Sequence, residues 1–125
     1  MESRKISEAL SVSPQIAIAD VAEIKRLGFR SVICNRPDGE GADQPSFDEI
    51  KAEAEAAGLA TRYIPIVAGK VRDEDAADFG RALDELPKPV FGYCRTGTRS
   101  ATLWSLSQAS ILDTSEILRA TKSAG

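Results

Sequence analysis

Towards its C-terminal end the chain reads Pro89-Val90-Phe91-Gly92-Tyr93-Cys94-Arg95-Thr96-Gly97-Thr98-Arg99-Ser100. A short apolar run, typical of a buried strand, leads into a cysteine, and from about residue 98 the apolar spacing predicts a helix. Elsewhere in the chain, apolar strands also alternate with helical patterns. The sequence therefore predicts an α/β fold with a mostly parallel sheet and helices on both faces.

The remaining elements follow the same alternation. Strands are predicted at 10–12 as an edge strand, at 30–34, and at 61–67, where Pro65 favours an edge or a bulge. Helices are predicted at 18–27, from the capping box of Ser46 and Glu49 to Gly58, from the acidic turn at 73–75 to Pro87, and at 115–121. We expect residues 1–125 to form one domain, and the missing cap after the last helix suggests a fragment of a longer protein.

The amino-acid composition excludes several classes of function for this chain. Sixteen Lys and Arg oppose nineteen Asp and Glu, giving a formal net charge of -3 without a run of either sign, so no nucleic-acid or membrane partner is expected. Because no apolar run is long enough to cross a bilayer, the sequence predicts a cytoplasmic protein. Two cysteines are too few for a disulfide framework. In a reducing compartment a cysteine is more often a reactive group than part of a disulfide, so each of the two is considered as a chemical group.

The chain contains no histidine. Nucleophiles with a histidine base, histidine metal sites and histidine acid–base catalysis are therefore excluded. We expect no metal and no cofactor. Any nucleophile in this chain must be activated by backbone groups and by cations.

The loop after Cys94 has the parts of an anion-binding nucleophile site. Backbone N–H groups of a loop between a strand and a helix can point at one centre, and the helix dipole adds positive potential that favours an anion or a thiolate. Gly97 allows the tight turn, Arg99 can offer its planar guanidinium to two oxygens, and Ser100 could donate to the thiolate. We predict Cys94 and Arg99 as catalytic residues, and as anion-binding groups Arg95, Thr96, Gly97, Thr98 and Ser100.

Other residues are weaker candidates. Arg36 follows a strand at the sheet edge where ligands bind in α/β folds, so it could contact substrate, although a turn there is the alternative. Asp73 and Asp75 could supply a general acid, although an acidic first turn of a helix is ordinary. Cys34 could resolve an intermediate on Cys94, and its alternative is a core position.

The Cys94 loop resembles those of two families, the rhodanese-type sulfurtransferases and the cysteine-based protein tyrosine phosphatases. Four residues separate Cys94 from Arg99, as in many rhodaneses. The phosphatase signature has five, and usually a histidine at the position of Tyr93. The rest of the chain lacks the rhodanese Asp-x-Arg and Gly-His-Ile-Pro-Gly-Ala stretches.

Over nearly its full length the chain resembles a bacterial phosphatase-like domain that occurs alone or fused to metallo-β-lactamase-type hydrolase domains, and that is often labelled a sulfur transferase. The matching segments are 11–16, 35–40, 63–66 and the Cys94 loop. This resemblance implies a tyrosine-phosphatase-like fold carrying a rhodanese-length loop, with a fused or separate hydrolase of that type as a partner. A rhodanese-like fold is the alternative.

Three functions follow from these expectations. The first is a sulfurtransferase in which Cys94 takes sulfur from a small anionic or sulfane-sulfur donor as a persulfide and passes it to a thiol acceptor. The second is a phosphatase that forms a phosphocysteine on Cys94 and needs a general acid. The third is a non-catalytic anion-binding module that serves a hydrolase partner.

Overall fold

The predicted alternation of strands and helices is present in the computed structural model, which describes residues 2–108. The elements in chain order are β1 (Arg4–Lys5), β2 (Leu10–Ser13), α1 (Asp20–Arg26), β3 (Ser31–Cys34), α2 (Phe47–Ala56), β4 (Ala60–Tyr63), α3 (Asp73–Glu85), β5 (Val90–Tyr93) and α4 (Thr98–Ser107). The helix predicted at 115–121 lies outside the described residues. None of the helices within residues 2–108 combines the length and apolarity that crossing a bilayer requires.

The sheet has the order β1-β2-β5-β3-β4. All neighbouring strands are parallel except β1 and β2, which are antiparallel. In register, Tyr93 of β5 lies beside Ser13 of β2 and Cys34 of β3, and Cys34 lies beside Tyr63 of β4. The carboxyl ends of four strands therefore meet in one row, and the loop that begins with Cys94 leaves from the middle of that row.

The prediction that 10–12 is an edge strand was wrong. The chain turns back between Ile6 and Leu10, where the Ile6 N–H donates to the Leu10 carbonyl at 3.0 Å, and this turn lays β1 along the outer side of β2. A two-residue strand leaves no periodic pattern in the sequence. For the strand predicted at 61–67, the edge option is the one observed, because β4 is the outermost strand on the other side. Its predicted length was wrong: β4 ends at Tyr63, before Pro65, which has no N–H to donate to a neighbouring strand.

Helices cover both faces of the sheet, as predicted. On β5, Val90 points into a cluster with residues of α3 and α4, such as Phe79 and Leu103. Its neighbour Phe91 points into a second cluster with residues of α1 and α2, such as Ile24 and Ile50. Successive strand residues thus face opposite cores, which explains why the central strand β5 is apolar without alternation. Two packed layers of helices hold the ends of the strands in place.

Candidate active site

Cys94 follows the central strand, and both neighbouring strands fix it. Its backbone N–H donates to the Ser13 carbonyl at 3.3 Å, and the Gln15 N–H donates to the Arg95 carbonyl at 3.2 Å. On the other side, the Asn35 N–H donates to the Tyr93 carbonyl at 2.8 Å. The start of the loop is therefore held from β2 and from β3.

The loop turns at Gly97, which has φ of 91° and precedes the first residue of α4. Its N–H donates to the Cys94 Sγ at 3.1 Å, so the turn points a backbone donor at the sulfur. The N-terminus of the ten-residue helix α4 lies beside this contact, so the loop supplies positive potential next to the Cys94 sulfur. Cys94 is itself fully buried, with an exposed fraction of 0%. A substrate can reach the sulfur only when groups that cover it move.

Arg99 lies in the first turn of α4, and its side chain is 11% exposed. Its Nη1 donates to Glu40 Oε2 and to the Ile66 carbonyl, both at 2.8 Å, and its Nη2 donates to Glu40 Oε1 at 2.8 Å. The guanidinium is thus hydrogen-bonded to two loops, the one that follows β3 and the one that follows β4. Glu40 raises the pKa of Arg99, and this arginine is a permanent cation beside the Cys94 loop.

Glu40 is shared by two arginines. Its Oε1 also accepts a hydrogen bond of 3.1 Å from Arg36 Nε. The hydrogen bond from Arg99, followed by that from Arg36, holds the pKa of Glu40 below its usual range. Glu40 is therefore ionised at neutral pH. It acts as the shared carboxylate of an ion-pair network and is not available as a proton donor.

Arg36, a predicted substrate contact, is buried between the loop that follows β3 and the segment that follows β2. Its side chain is 9% exposed, and besides Glu40 it donates to Gln15 Oε1 at 3.1 Å through Nη1. A Cβ at Gly41 would approach Arg36 Nη2 to 2.9 Å, so the loop after β3 packs closely over the guanidinium. The observed contacts of Arg36 are to protein groups that support the loop.

Ser100 was predicted as an anion-binding residue whose hydroxyl could donate to the thiolate. In the structure its buried hydroxyl donates instead to Asn35 Oδ1 at 2.8 Å, which uses its single hydrogen. The physical reason is that Asn35 is fully buried at the end of β3 and its amide oxygen requires a donor. Ser100 therefore orients the first turn of α4 relative to β3.

The other predicted loop residues face outward. Arg95, Thr96 and Thr98 are exposed, and the Thr96 hydroxyl donates to the Thr98 hydroxyl at 3.1 Å. A cavity of about 440 Å³ lies on this side of the loop, between β2 and α4. Its lining includes Thr96, Gly97 and Thr98 but neither Cys94 nor Arg99, so it is separate from the nucleophile.

The two candidate acids occupy different positions on α3. Asp73 is the exposed first residue of the helix. Asp75 is buried, and its carboxylate accepts from the Arg72 N–H at 3.0 Å and from the Arg72 guanidinium at 3.3 and 3.4 Å. Arg72 lowers the pKa of Asp75, which makes it a poor proton donor. The preceding stretch 64–72 contains no Asp or Glu.

Cys34 is buried at the end of β3, and its thiol donates to the Arg36 carbonyl at 3.3 Å. Burial raises the pKa of Cys34, so it remains a thiol at neutral pH. The side chain packs with the cluster on the α1 and α2 face. These contacts describe a core cysteine, and the predicted resolving role stays a prediction.

Sequence reasoning placed Asn35 in the loop beside the site without giving it a role, and it did not consider Glu40. Both belong to the segment 35–40 that carried the family resemblance, and an Asn directly after a buried strand is a signal that could have singled out the first. For Glu40 the sequence offers only an acid in a turn-rich loop. The Ile66 carbonyl has no side-chain signal at all, because any residue type would supply it.

Metal chemistry has no support from the residues that the structure describes. No three Cys, Asp or Glu side chains in that part of the chain come together as a metal site requires. The groups that the structure does place at the site are the Cys94 sulfur, the Gly97 N–H that donates to it and the Arg99 guanidinium in the first turn of α4.

Comparison with known proteins agrees with this architecture. The sequence profile of the family described as "Beta-lactamase hydrolase-like protein, phosphatase-like domain" matches residues 2–111. A Beta-lactamase hydrolase-like protein of Agrobacterium fabrum is 37% identical over 109 residues, which are 87% of this chain and 25% of that protein. The chain thus spans about a quarter of the length of this relative.

Solved structures show the same fold. A candidate phosphatase from Neisseria meningitidis Z2491 has a TM-score of 0.90 and 38% identity, covering 100% of this chain and 89% of that one. Tk-PTP in its active form has a TM-score of 0.80 and 23% identity, covering 98% and 84%. The fold is therefore protein tyrosine phosphatase-like, as the first prediction had it, and not the rhodanese-like alternative.

The names of these relatives agree better with the phosphatase alternative than with the sulfurtransferase prediction. None of the names given above mentions sulfur transfer. They support a phosphatase-like domain of the cysteine type at the level of fold and family. By the match over residues 2–111, this chain belongs to the phosphatase-like domain family of the Beta-lactamase hydrolase-like proteins.

Proposed function

We propose that the chain is a cysteine-dependent sulfurtransferase. The Cys94 thiolate attacks the outer sulfur of a donor such as thiosulfate, a new S–S bond forms on Cys94, and sulfite leaves with the electron pair of the broken S–S bond. An acceptor thiolate or cyanide then attacks the outer sulfur of the persulfide, and the Cys94 thiolate is regenerated. Arg99 binds the oxyanion part of the donor.

The observation that carries this proposal is the length of the loop. Four residues separate Cys94 from Arg99, and Gly97 already donates to the Cys94 sulfur at 3.1 Å. A ring this short brings few N–H groups around a small centre. Such a ring matches the terminal sulfur of a persulfide better than a whole phosphoryl group.

The lack of a placed general acid is a second support. Phosphoryl transfer to a cysteine needs a proton for the leaving oxygen, whereas sulfite leaves as a stable anion without one. The stretch 64–72 offers no carboxyl group, and Asp75 is held as a carboxylate by Arg72. Sulfur transfer uses the groups that are in place.

Phosphate-ester hydrolysis is the second candidate, favoured by the family description and by the candidate phosphatase that is 38% identical. In this reaction Cys94 attacks phosphorus, Arg99 binds equatorial oxygens, and Asp73 donates the proton. Asp73 rather than Asp75 is the acid to test, because Asp73 is exposed and Asp75 is not.

The test is the intact mass of reduced protein after incubation with thiosulfate, followed by cyanide. Wild type should gain one sulfur atom and release it as thiocyanate, while Cys94→Ser should do neither. Cys34→Ser is the matched control and should behave as wild type. No adduct and no thiocyanate from wild type would overturn the proposal.

A parallel assay of aryl phosphate hydrolysis separates the alternatives. Turnover that depends on Cys94 and falls more than tenfold in Asp73→Asn would establish the phosphatase. Binding of anions without either reaction would leave a non-catalytic module.

The proposal extends to the setting of the protein. We expect a cytoplasmic location, where thiol acceptors are abundant, and a hydrolase of the metallo-β-lactamase type as the fused or separate partner. The relatives' name, and the quarter of their length that this chain spans, support that partner.

A further inference from the structure

The first turn of α4 supplies backbone donors that an anion at the Cys94 loop can use. The N–H groups at the start of a helix have no partner within the helix and point out of its N-terminal end. The Cys94 sulfur lies at that end of α4, because the Gly97 N–H donates to it at 3.1 Å. Within residues 2–108, no group accepts a hydrogen bond from the Arg99 N–H or the Ser100 N–H. Both donors are therefore available to a ligand.

The Thr98 N–H is different, because a side chain of the same loop occupies it. It donates to the Thr96 Oγ1 at 3.4 Å. The Thr96 hydroxyl donates its own hydrogen to the Thr98 Oγ1 at 3.1 Å, which leaves an oxygen lone pair for the Thr98 N–H. An uncharged oxygen thus occupies a donor at the N-terminus of α4, where the helix dipole favours an anion.

We propose that Thr96 is a specificity-determining residue of the Cys94 loop, whose hydroxyl occupies the Thr98 N–H and thereby weakens the binding of tetrahedral oxyanions. Sulfate or a phosphoryl group presents several oxygens and has to displace the Thr96 hydroxyl to reach this donor. A ligand that presents one small end, such as the terminal sulfur of a sulfane-sulfur donor, needs fewer N–H groups. The inference rests on the anion-binding role of the loop in the proposed function, and it adds a second reason, besides loop length, for a preference for sulfur donors.

The competition for the Thr98 N–H determines the direction of the effect. The Thr96 hydroxyl and an anion oxygen compete for one donor, and the hydrogen bond to the charged oxygen is the stronger of the two. The anion therefore gains only the difference between the two bonds. Removing the hydroxyl should restore the full gain. If Thr96 instead bound the anion directly, as the sequence predicted, removing its hydroxyl would weaken binding.

Sulfate affinity, measured by calorimetry on Cys94→Ser protein, tests the proposal without any turnover. Adding Thr96→Val removes the hydroxyl and keeps the shape of the side chain. It should tighten sulfate binding about three- to tenfold, which corresponds to the net worth of one hydrogen bond. Thr102→Val is the matched control and should leave the affinity unchanged, because Thr102 is an exposed threonine of α4 beyond its first turn. Unchanged or weaker sulfate binding in Thr96→Val overturns the proposal.

Two further variants keep the test independent of folding and of side-chain size. Thr96→Ser keeps the hydroxyl and should bind sulfate as the parent protein does. Thr96→Ala removes it with a smaller side chain and should tighten binding as Thr96→Val does. A gain in Thr96→Ser as large as that in Thr96→Val would contradict the role of the hydroxyl. Circular dichroism confirms that each variant is folded.

A rod-shaped anion separates a change in specificity from a general opening of the loop. Thiocyanate presents one terminal atom to the loop, so its affinity should change by less than about twofold in Thr96→Val. Equal gains for sulfate and thiocyanate would show that the variant only loosens the loop, and the proposal would fail.

The outcome of these binding measurements does not depend on which group Cys94 transfers. If thiosulfate gives no persulfide but Thr96→Val tightens sulfate binding, the proposed function fails and the role of Thr96 stands. If the persulfide forms and Thr96→Val leaves sulfate binding unchanged, the proposed function stands and the role of Thr96 fails. Absence of sulfate binding in every variant would overturn the anion-binding role of the loop and, with it, the role of Thr96.

Discussion

Ser100 donates a hydrogen bond of 2.8 Å to Asn35 Oδ1, although 65 positions separate the two residues in the chain. Asn35 also donates through Nδ2 to the Ile64 carbonyl at 2.9 Å, and its own carbonyl accepts from the Ile66 N–H at 3.0 Å. Ile66 in turn accepts from Arg99. One buried amide therefore links the loops after β3 and β4 to the first turn of α4.

Replacing Asn35 should destabilise the protein. Asn35→Ala leaves a buried Ser100 hydroxyl and a partly buried Ile64 carbonyl without their partners, which costs about 2–4 kcal/mol. The free energy of unfolding in urea measures this change. Asn35→Asp keeps the acceptor for Ser100 and loses the donor to Ile64, but it also buries a charge, so it should be no more stable than Asn35→Ala. A loss below about 0.5 kcal/mol in Asn35→Ala would contradict the linking role.

The Glu40 network should make stability depend on pH. The pKa of Glu40 is lowered in the folded protein, so its contribution is fully present above the unfolded pKa, near 4.5, and is lost as pH falls through the lower folded value. Wild type should therefore exceed Glu40→Gln in free energy of unfolding at pH 6 to 7. The gap should shrink as pH falls below 4.5. Urea unfolding across this range checks the prediction, and a gap that stays constant with pH would contradict it.

Much of the fold could be predicted because it follows from periodic patterns and from residue types with fixed roles. The capping box of Ser46 and Glu49 is formed, and α2 begins at the next residue after Ser46, as expected. The position of β1 could not be predicted, since two exposed residues have no pattern. Sequence pattern identifies elements that bury a face, and an edge pair such as β1 and β2 depends on a local turn.

The candidate site divides in the same way. Cys94, Gly97 and Arg99 could be chosen because their chemistry is local to one loop. Glu40 could not, because its role depends on a contact across 59 positions that only the parallel sheet creates. Ser100 had a reasonable local partner in the sulfur, but a buried amide from β3 accepts its hydrogen instead. Long-range partners follow from topology and not from composition.

The capping box provides a prediction that concerns stability alone. The Ser46 hydroxyl accepts from the Glu49 N–H at 3.1 Å, and the Glu49 carboxylate accepts from the Ser46 N–H at 3.1 Å. Ser46→Ala should lower the free energy of unfolding by about 1 kcal/mol. Thiocyanate formation under saturating donor should be unchanged, since the hydrogen bonds of the cap run between Ser46 and Glu49 and those of Cys94 and Arg99 run to other residues. A loss of activity without a loss of stability would show that α2 takes part in the site.

Gly97 should be required both for the stability of the fold and for the rate of persulfide formation. At φ of 91° an L side chain is strained, and a Cβ there would meet the carbonyl carbon of Ser13 at 3.4 Å. Gly97→Ala should therefore lower the free energy of unfolding by about 1–2 kcal/mol and move the N–H that donates to the Cys94 sulfur.

Gly28→Ala separates these two effects. Gly28 has φ of 98° and follows the C-terminal end of α1, far from the loop in sequence. Apart from its two chain neighbours, no described residue has an atom within 4 Å of a Cβ placed there. Its stability loss should be about 1 kcal/mol from backbone strain alone, with full activity. If the N–H of residue 97 stabilises the thiolate, Gly97→Ala should lose at least about tenfold in the rate of persulfide formation, the effect of one misplaced oxyanion-type donor. Equal rates for the two variants would show that the turn shapes the loop without acting on the sulfur.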